Sequence, residues 1–421
     1  MKAEIKERIE MVSRGEVPEG YKKTKVGIVP EDWEMMRMGD IAEVVTGTTP
    51  STKKKEYYED GKYPWITPTD ITENKYISRS ERYLTEKGLK EGRFIPAGSL
   101  LVTCIASIGK NAILTVDGSC NQQINAILPN IDYSNEFLYY LICDKVDYIK
   151  SFAGKTATKI INKSTFESLK FLVPSLLEQK SIAKILSTWD KAIELKEQLI
   201  EKKKEQKKGL MQILLTGEVR LPGFNGEWEV KRLGEISSIL RGASPRPISD
   251  SKWFDENSEV GWVRISDVTK ANKVLTETEQ YLSPEGIAKS RKAKKDNIIM
   301  SICATVGKPI YTGFDVCIHD GFVVFDKLSV DKEFFYYILL QKEKSWKKYG
   351  QTGSQMNLNT DIVGNEKVNI PPLFEEQKAI AQVLSTADKE IELLEEELEQ
   401  LKLQKKGLMQ LLLTGIIRVK S

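Results

Sequence analysis

EQKSIAKILSTWDKAIELKEQLIEKKKEQKKGLMQILLTG, from Glu178 to Gly217, returns 198 positions later as EQKAIAQVLSTADKEIELLEEELEQLKLQKKGLMQLLLTG, from Glu376 to Gly415. About 27 of the 40 paired positions are identical, and no gap is needed. An internal repeat decides the architecture before any other feature can. Outward from this stretch the repeat weakens but persists. Trp33, Gly39, Gly47 and Pro50 recur as Trp228, Gly234, Gly242 and Pro245 at a shift of 195. Trp65 and Asp70 recur as Trp262 and Asp267 at 197, and the IGK at Ile108 recurs as the VGK at Val306 at 198. The drift is what small loop insertions produce. The chain therefore reads as two copies of a globular unit followed by a helix, with the helix nearly fixed and the globular part diverged. That pattern fits a constant frame holding two different readers.

Length and composition agree. The 421 residues are too many for one ordinary core and suit two or three domains. Hydrophobic residues make up 40% and charged residues 29%, the balance of a soluble globular chain. No apolar run approaches the roughly 18 residues of a membrane span. The opening MKAEIKERIEMVSRGE is charged throughout and excludes a signal peptide. Five cysteines without a CxxC pair (Cys104, Cys120, Cys143, Cys303, Cys317) argue against a disulfide frame or zinc site. Cys104 and Cys303 lie in matching apolar runs and read as buried, reduced thiols, which implies a cytoplasmic protein. The net charge is only +3, so a nucleic-acid site has to be a local patch.

Within the repeated stretch, apolar positions alternate in steps of four and three, the seam of a coiled coil. The second copy gives Ile380, Leu384, Ile391, Leu394, Leu398, Leu401, Leu408 and Leu412. The first gives Ile182, Leu186, Trp189, Ile193, Ile200, Leu210 and Leu214, interrupted by Lys196, Lys203 and Lys207. Each helix must bury its stripe, and the obvious partner is the other copy, although docking of each helix on its own domain is the simpler alternative. The lysines leave the rigidity of the pair open. Gly217 and Gly415 are stop signals. Ile5, Ile9 and Val12 share one face of a short N-terminal helix.

The globular parts open on PEDWE at Pro30 and GEWEV at Gly226. Short β-type runs follow: EVVTG, YPWIT, SLLVTCIAS and NAILTV, then GWVRIS, NIIMSICA and GFVVF in the second copy. NEFLYYLICDKV and KEFFYYILLQKEKSW are the helical patches. The fold class is α/β (α+β), with strand order not derivable from the sequence.

Catalytic signals fail one by one. EQK resembles half of a metal-nuclease motif, but it opens a helix in both copies and lacks the partner aspartate that would share a hard cation. GKT at Gly154 lacks the earlier glycine of a phosphate loop, where Ile149 stands. NIPPL at Asn369 has an intruding isoleucine and Leu373 in place of the aromatic of an amino-methyltransferase motif. No GxGxxG follows a strand. His319 is the single histidine and aligns with Asn121. No catalytic residue, metal ligand or cofactor site is assigned to the chain.

Recognition remains. Polar and basic loops recur at equivalent places, with residue types that neutralise phosphates or read base edges. TGTTPSTKKK offers Thr48, Thr49, Ser51, Lys53 and Lys54, and its counterpart RGASPRP offers Arg241, Ser244 and Arg246. SIGK offers Ser107 and Lys110, and TVGK offers Thr305 and Lys308. GKTATK offers Lys155, Thr158 and Lys159, and GQTGSQ offers Gln351, Ser354 and Gln355. Arg79 and Arg82 in one unit, and Arg264, Arg291 and Lys292 in the other, complete the set. Lys110 and Lys308 read as phosphate contacts, Arg241 and Arg264 as base contacts. A solvated surface is the plain alternative for any single loop; recurrence strengthens the set.

Together KTKVGIVPEDWE at Lys23, TGTTPS with YPWITPTDI, LPGFNGEWE at Leu221 and the doubled EQK and KKGLMQxLLTG blocks resemble the specificity subunit of Type I restriction-modification enzymes, over essentially the whole chain. The resemblance implies an N-terminal helical segment (1–20), a first target-recognition domain (21–175), a central helix (176–216), a second recognition domain (217–372) and a C-terminal helix (373–421). It implies an antiparallel coiled coil that sets spacing and docks partners, with each domain reading half of a split, asymmetric site on double-stranded DNA. Catalysis is then expected in partners: two modification subunits that methylate adenine with adenosylmethionine, and restriction subunits that translocate and cut. A binding module outside restriction and, more remotely, a single-chain methyltransferase or nuclease are the alternatives.

Overall fold

The computed structural model describes residues 3–154, 159–343, 345–346 and 358–419. They pack as two units: residues 1–197 with 397–421, and residues 198–396. Each unit thus takes the start or end of both long helices together with one globular part.

In the first unit a five-stranded sheet runs in the order Val44–Thr46, Ile124–Ile127, Leu100–Thr103, Asn111–Leu114, Tyr76–Ile77. All pairs are antiparallel except the last. Its central strands are apolar on both faces because both faces are covered. Leu100, Val102, Ile113 and Ile127 point into one core, and Leu101, Ala112, Leu114, Ile124 and Ala126 into another, following the two-residue period of a strand. The first core is closed by helix Asn135–Asp144, capped by the Ser134 hydroxyl, and by Ile182 and Leu186. A smaller sheet, Ser119–Cys120, Tyr63–Ile66 and Tyr83–Leu84, carries the tryptophan of YPWIT.

The second unit repeats the plan. Its five-stranded sheet is Ser238–Arg241, Phe322–Asp326, Ile298–Ser301, Pro309–Thr312, Val274–Leu275, and its smaller one is Gln280–Tyr281, Gly261–Val263, Val316–Ile318, Arg291–Ala293. Helix Lys332–Lys342 covers it, capped by Asp331. The GWVRIS run is strand only to Val263; Arg264 is already the N-cap of helix Ile265–Lys270, its backbone N–H bound to Asp267 at 2.8 Å. Of the two matched cysteines, Cys104 is buried but Cys303 is only half-buried, so the expectation of two buried thiols holds for one.

The long helices are Leu176–Leu214 and Phe374–Leu413. Both end at a glycine in the left-handed region, Gly217 (φ 75°) and Gly415 (φ 73°). The chain then folds back identically, Val219 N donating to Ile213 O at 3.2 Å and Ile417 N to Leu411 O at 3.0 Å. Within each unit the two helices run antiparallel. In the first, Lys405 pairs with Asp190, Lys402 with Glu197 (3.0 Å) and Lys196 with Glu397 (2.7 Å). In the second, Lys207 pairs with Asp388, Lys203 with Glu390 (2.7 Å) and Lys204 with Glu395 (2.9 Å). Each seam lysine, Lys196, Lys203 and Lys207, faces a carboxylate of the opposite helix. Ile182, Leu186, Ile200, Leu214, Ile380, Leu384, Ile391, Leu398 and Leu412 are buried, while Trp189, Ile193, Leu210, Leu394, Leu401 and Leu408 are half-buried.

The repeated EQK has a structural use. Glu178 accepts from the Trp33 indole (3.1 Å) and from Arg418 (2.8 and 2.9 Å), and Arg418 also grips Asp32. Glu376 accepts from the Trp228 indole (3.4 Å) and from Arg220 (2.6 and 2.7 Å). Gln179 and Gln377 donate to the carbonyls of Pro174 and Pro371 and accept from the backbone N–H of Ser134 and Asp331. They join each helix start to the cap of the covering helix.

Candidate nucleic-acid interface

In each unit one loop crosses the end of the small sheet so closely that only glycine fits. A Cβ on Gly47 would collide with the carbonyl oxygens of Cys120 and Asn121, and one on Gly242 with that of His319. This crossing brings the loop after the first sheet strand against the loop after Ser119–Cys120 or Val316–Ile318, beside the repeated tryptophan.

In the second unit the result is a hollow of about 390 Å³ lined by Ser244, Arg246, Ile248, Trp262, Arg264, His319 and Asp320. The Ser244 hydroxyl donates to Asp320 Oδ1 at 2.9 Å, and Arg241 Nε donates to the Asp320 carbonyl at 2.9 Å. Arg246 lies 3.8 Å from Asp320 Oδ2, and Arg264 lies 3.8 Å from Glu279, both beyond hydrogen-bond length. His319 sits between the rings of Trp262 and Phe322. Its Nδ1 accepts from the Gly321 N–H at 2.9 Å, which leaves Nε2 as the protonated nitrogen. Burial lowers the His319 pKa below the ordinary histidine value, against the neighbouring Asp320 charge and with help from Arg264. Burial works against the Asp320 charge, but the Ser244 hydroxyl, its own backbone N–H, His319 and Arg246 outweigh it, and its pKa falls.

The first unit builds the same place with other side chains. Thr49 stands for Ser244, Thr67 for Arg264, Asn121 for His319 and Gln122 for Asp320. The Thr49 hydroxyl donates to the Gln122 side-chain oxygen at 2.5 Å, just as Ser244 donates to Asp320. The Trp65 indole donates to the Thr48 carbonyl at 3.1 Å, and Arg82 lies over the rings of Tyr58 (4.4 Å) and Trp65 (5.1 Å). The buried Thr48 hydroxyl has no hydrogen-bond partner among the described residues. Frame and hydrogen-bond plan repeat; the charge does not.

The other expected residues divide. Thr48, Thr49 and Arg82 gather at this place in the first unit, and Ser244, Arg246 and Arg264 in the second, with Arg241 behind Asp320. Arg291 reaches the Arg241 carbonyl (3.2 Å) and Lys292 pairs with Asp315 (2.8 Å). Ser51 and Lys53 are exposed, while Lys54 donates to the Tyr57 phenol at 2.9 Å. Arg79 lines a separate hollow with Asp70, Asn74 and Tyr76. The SIGK and TVGK turns share a backbone path, with left-handed Ala106 and Ala304 and the Ser107 and Thr305 carbonyls held by Thr103 and Ser301 hydroxyls. Lys110 and Lys159 are exposed. Lys308 is not free as expected: it donates to the carbonyls of Val268 (2.8 Å), Thr269 (3.3 Å) and Ala271 (2.8 Å), which uses all three ammonium protons. It caps helix Ile265–Lys270, and the phosphate role is withdrawn. Lys155, Thr158, Gln351, Ser354 and Gln355 lie outside the described residues.

Sequence reasoning missed a duplicated polar joint. Lys75 meets Glu136, the Ser187 hydroxyl (2.8 Å) and the Tyr140 phenol (3.2 Å), and Tyr140 donates to Asp190, the carboxylate held by Lys405. Lys273 meets Glu333 and the Tyr337 phenol (3.2 Å), and Tyr337 donates at 2.6 Å to Asp388, held by Lys207. Burial, then the aspartate bond, raises both phenol pKa values, so both remain donors. Each joint locks a globular part to the helix pair of its own unit. Its five positions recur at shifts of 197 to 198, a signal the sequence did carry.

Comparison with known proteins follows the same division. The family model described as Type I restriction modification DNA specificity domain matches twice, at residues 30–204 and 225–403. The MjaIX Type I restriction enzyme specificity subunit of Methanocaldococcus jannaschii is 32% identical over 84% of this chain and 86% of its own length. The MjaVIII specificity subunit of the same organism is 30% identical over 96% and 97%. Among solved structures, the S subunit of a Type I restriction-modification system from M. genitalium superposes with a TM-score of 0.53 at 17% identity, covering 90% of this chain and 96% of its own.

Proposed function

This chain belongs to the Type I restriction modification DNA specificity family, and from that premise we propose that it selects the DNA site for a Type I restriction-modification complex. Each unit reads one half of a split site, and because the two readers differ the site is asymmetric. The paired helices set the gap between half-sites and dock two modification subunits. The methyl donor, adenosylmethionine, and the adenine chemistry belong to those subunits, and translocation and cleavage to restriction subunits. The chain itself does no chemistry.

One observation carries the reading. Around matched tryptophans and a matched hydroxyl-to-side-chain hydrogen bond, one unit offers Thr49, Thr67, Asn121 and Gln122 and the other Ser244, Arg264, His319 and Asp320. A frame that conserves geometry while exchanging hydrogen-bonding groups is what two half-sites of different sequence require. Methylation mapping in cells carrying this chain with its modification subunit tests it. A single split, non-palindromic adenine motif is expected. Methylation by the isolated chain, or no motif that depends on the chain, refutes it.

A further inference from the structure

The second reader offers its DNA two kinds of group at once, and we propose that it reads a G·C pair at the hollow beside Trp262, with Arg264 on the guanine and Asp320 on the cytosine. The inference rests on the DNA-reading role proposed above and adds the base pair and the residues that choose it.

In the major groove guanine presents two acceptors side by side, N7 and O6, and cytosine presents the N4 amino donor. An arginine fork matches the first, and a carboxylate the second. Both stand in one hollow here, the arginines and Asp320 within the same lining. Adenine presents an acceptor next to a donor, which suits Asn or Gln. Those residues, Asn121 and Gln122, occupy the matching place in the first unit.

The groups are held in a way that suits reading. Arg264 is fixed at its backbone by Asp267, while among the described residues its guanidinium has one ion-pair neighbour, Glu279 at 3.8 Å. The Asp320 carboxylate is oriented by Ser244 through Oδ1, which leaves Oδ2 with Arg246 at 3.8 Å. Both ion pairs are longer than a hydrogen bond, so each can give way to shorter bonds to a base. His319, wedged between aromatic rings with its Nδ1 engaged, keeps the loop carrying Asp320 in place.

The test uses the full chain with its modification subunit, measuring methylation and binding on DNA duplexes that vary one base pair at a time. The wild-type complex should require G·C at one position of one half-site. Arg264→Ala should reduce discrimination at that position by roughly 5- to 150-fold and leave the other half-site unchanged. Arg264→Lys keeps the charge but loses the fork, and should bind with little loss while discriminating poorly. Asp320→Asn should relax the same position. If Arg264→Ala weakens all duplexes alike, the residue contacts phosphate and the proposal falls. It also falls if the position that relaxes is an A·T pair. A wild-type complex that recognises no split site at all would instead overturn the function proposed above.

Discussion

Replacing Arg220 with alanine tests how the frame of the second unit is held. Glu376 is fully buried, its carboxylate accepting from Arg220 at 2.6 and 2.7 Å and from the Trp228 indole at 3.4 Å. Without Arg220 the carboxylate keeps, among the described residues, one long bond from a neutral donor, the Trp228 indole. Removing one partner of a buried pair costs about 3–5 kcal/mol because the remaining charge is uncompensated. Arg220 is 26% exposed, so water can partly replace it, and the expected loss is about 3 kcal/mol, the low end of that range. Glu376→Gln keeps the shape and an acceptor for the indole and should cost less, about 1.5–3 kcal/mol for the lost charged hydrogen bonds. Urea unfolding followed by circular dichroism and tryptophan fluorescence gives the single and double variants. The double variant Arg220→Ala/Glu376→Gln should be more stable than the sum of the singles by at least 1 kcal/mol, since no orphaned charge remains, on the order of the coupling seen for contacting residues. An Arg220→Ala cost below 1 kcal/mol, or strict additivity, would refute the anchor.

Further outcomes follow from the same geometry. Lys110→Ala should lower the salt slope of DNA binding by about one unit, whereas Lys308→Met should lower stability and leave that slope unchanged; the reverse pattern would reinstate Lys308 as a phosphate contact. The folded His319 pKa lies below its ordinary value, so the unfolded chain takes up the proton first: stability is full above about pH 6.5 and declines as pH falls below it. His319→Asn, which installs the residue found at position 121, should flatten the loss of melting temperature between pH 7 and 5.5, and an unchanged profile would contradict this. Inserting one heptad after Ile193 and another after Ile391 adds about 10 Å to the paired helices. It should lengthen the recognised gap by about three base pairs or abolish binding, so full activity at the original gap would remove the helices as spacers.

The helices and the doubled plan were legible because their signals are local and repeated: the four–three spacing, the terminal glycines and the gapless match. The buried use of Glu178 and Glu376 was half legible. The sequence marked EQK as structural, but its partners, Arg418 and Arg220, lie far along the chain or after the helix stop. Lys308 misled because backbone carbonyls leave no sequence signature, so a capping lysine and a phosphate-binding lysine look alike in TVGK. Lys196, Lys203 and Lys207 looked like faults in a seam because periodicity counts apolar residues and ignores the carboxylates opposite. The hollow beside Trp262 was partly visible. Arg264, Arg246 and Ser244 stood out as basic or polar loop residues, whereas His319 was weighed only for catalysis and Asp320 not at all, since only the close crossing at Gly242 brings them alongside. Their signal was a pair of positions where the two copies keep the frame and change the chemistry.

The central claim, two independent readers on one frame, is tested most directly by exchanging one of them. Residues 222–371 are replaced with the corresponding segment of a relative of different specificity, and the methylated motif is mapped in cells that supply the same modification subunit. One half-site should change to that of the donor while the other half-site and the gap stay as they were. A motif in which both half-sites change would contradict the account, and so would one in which neither does.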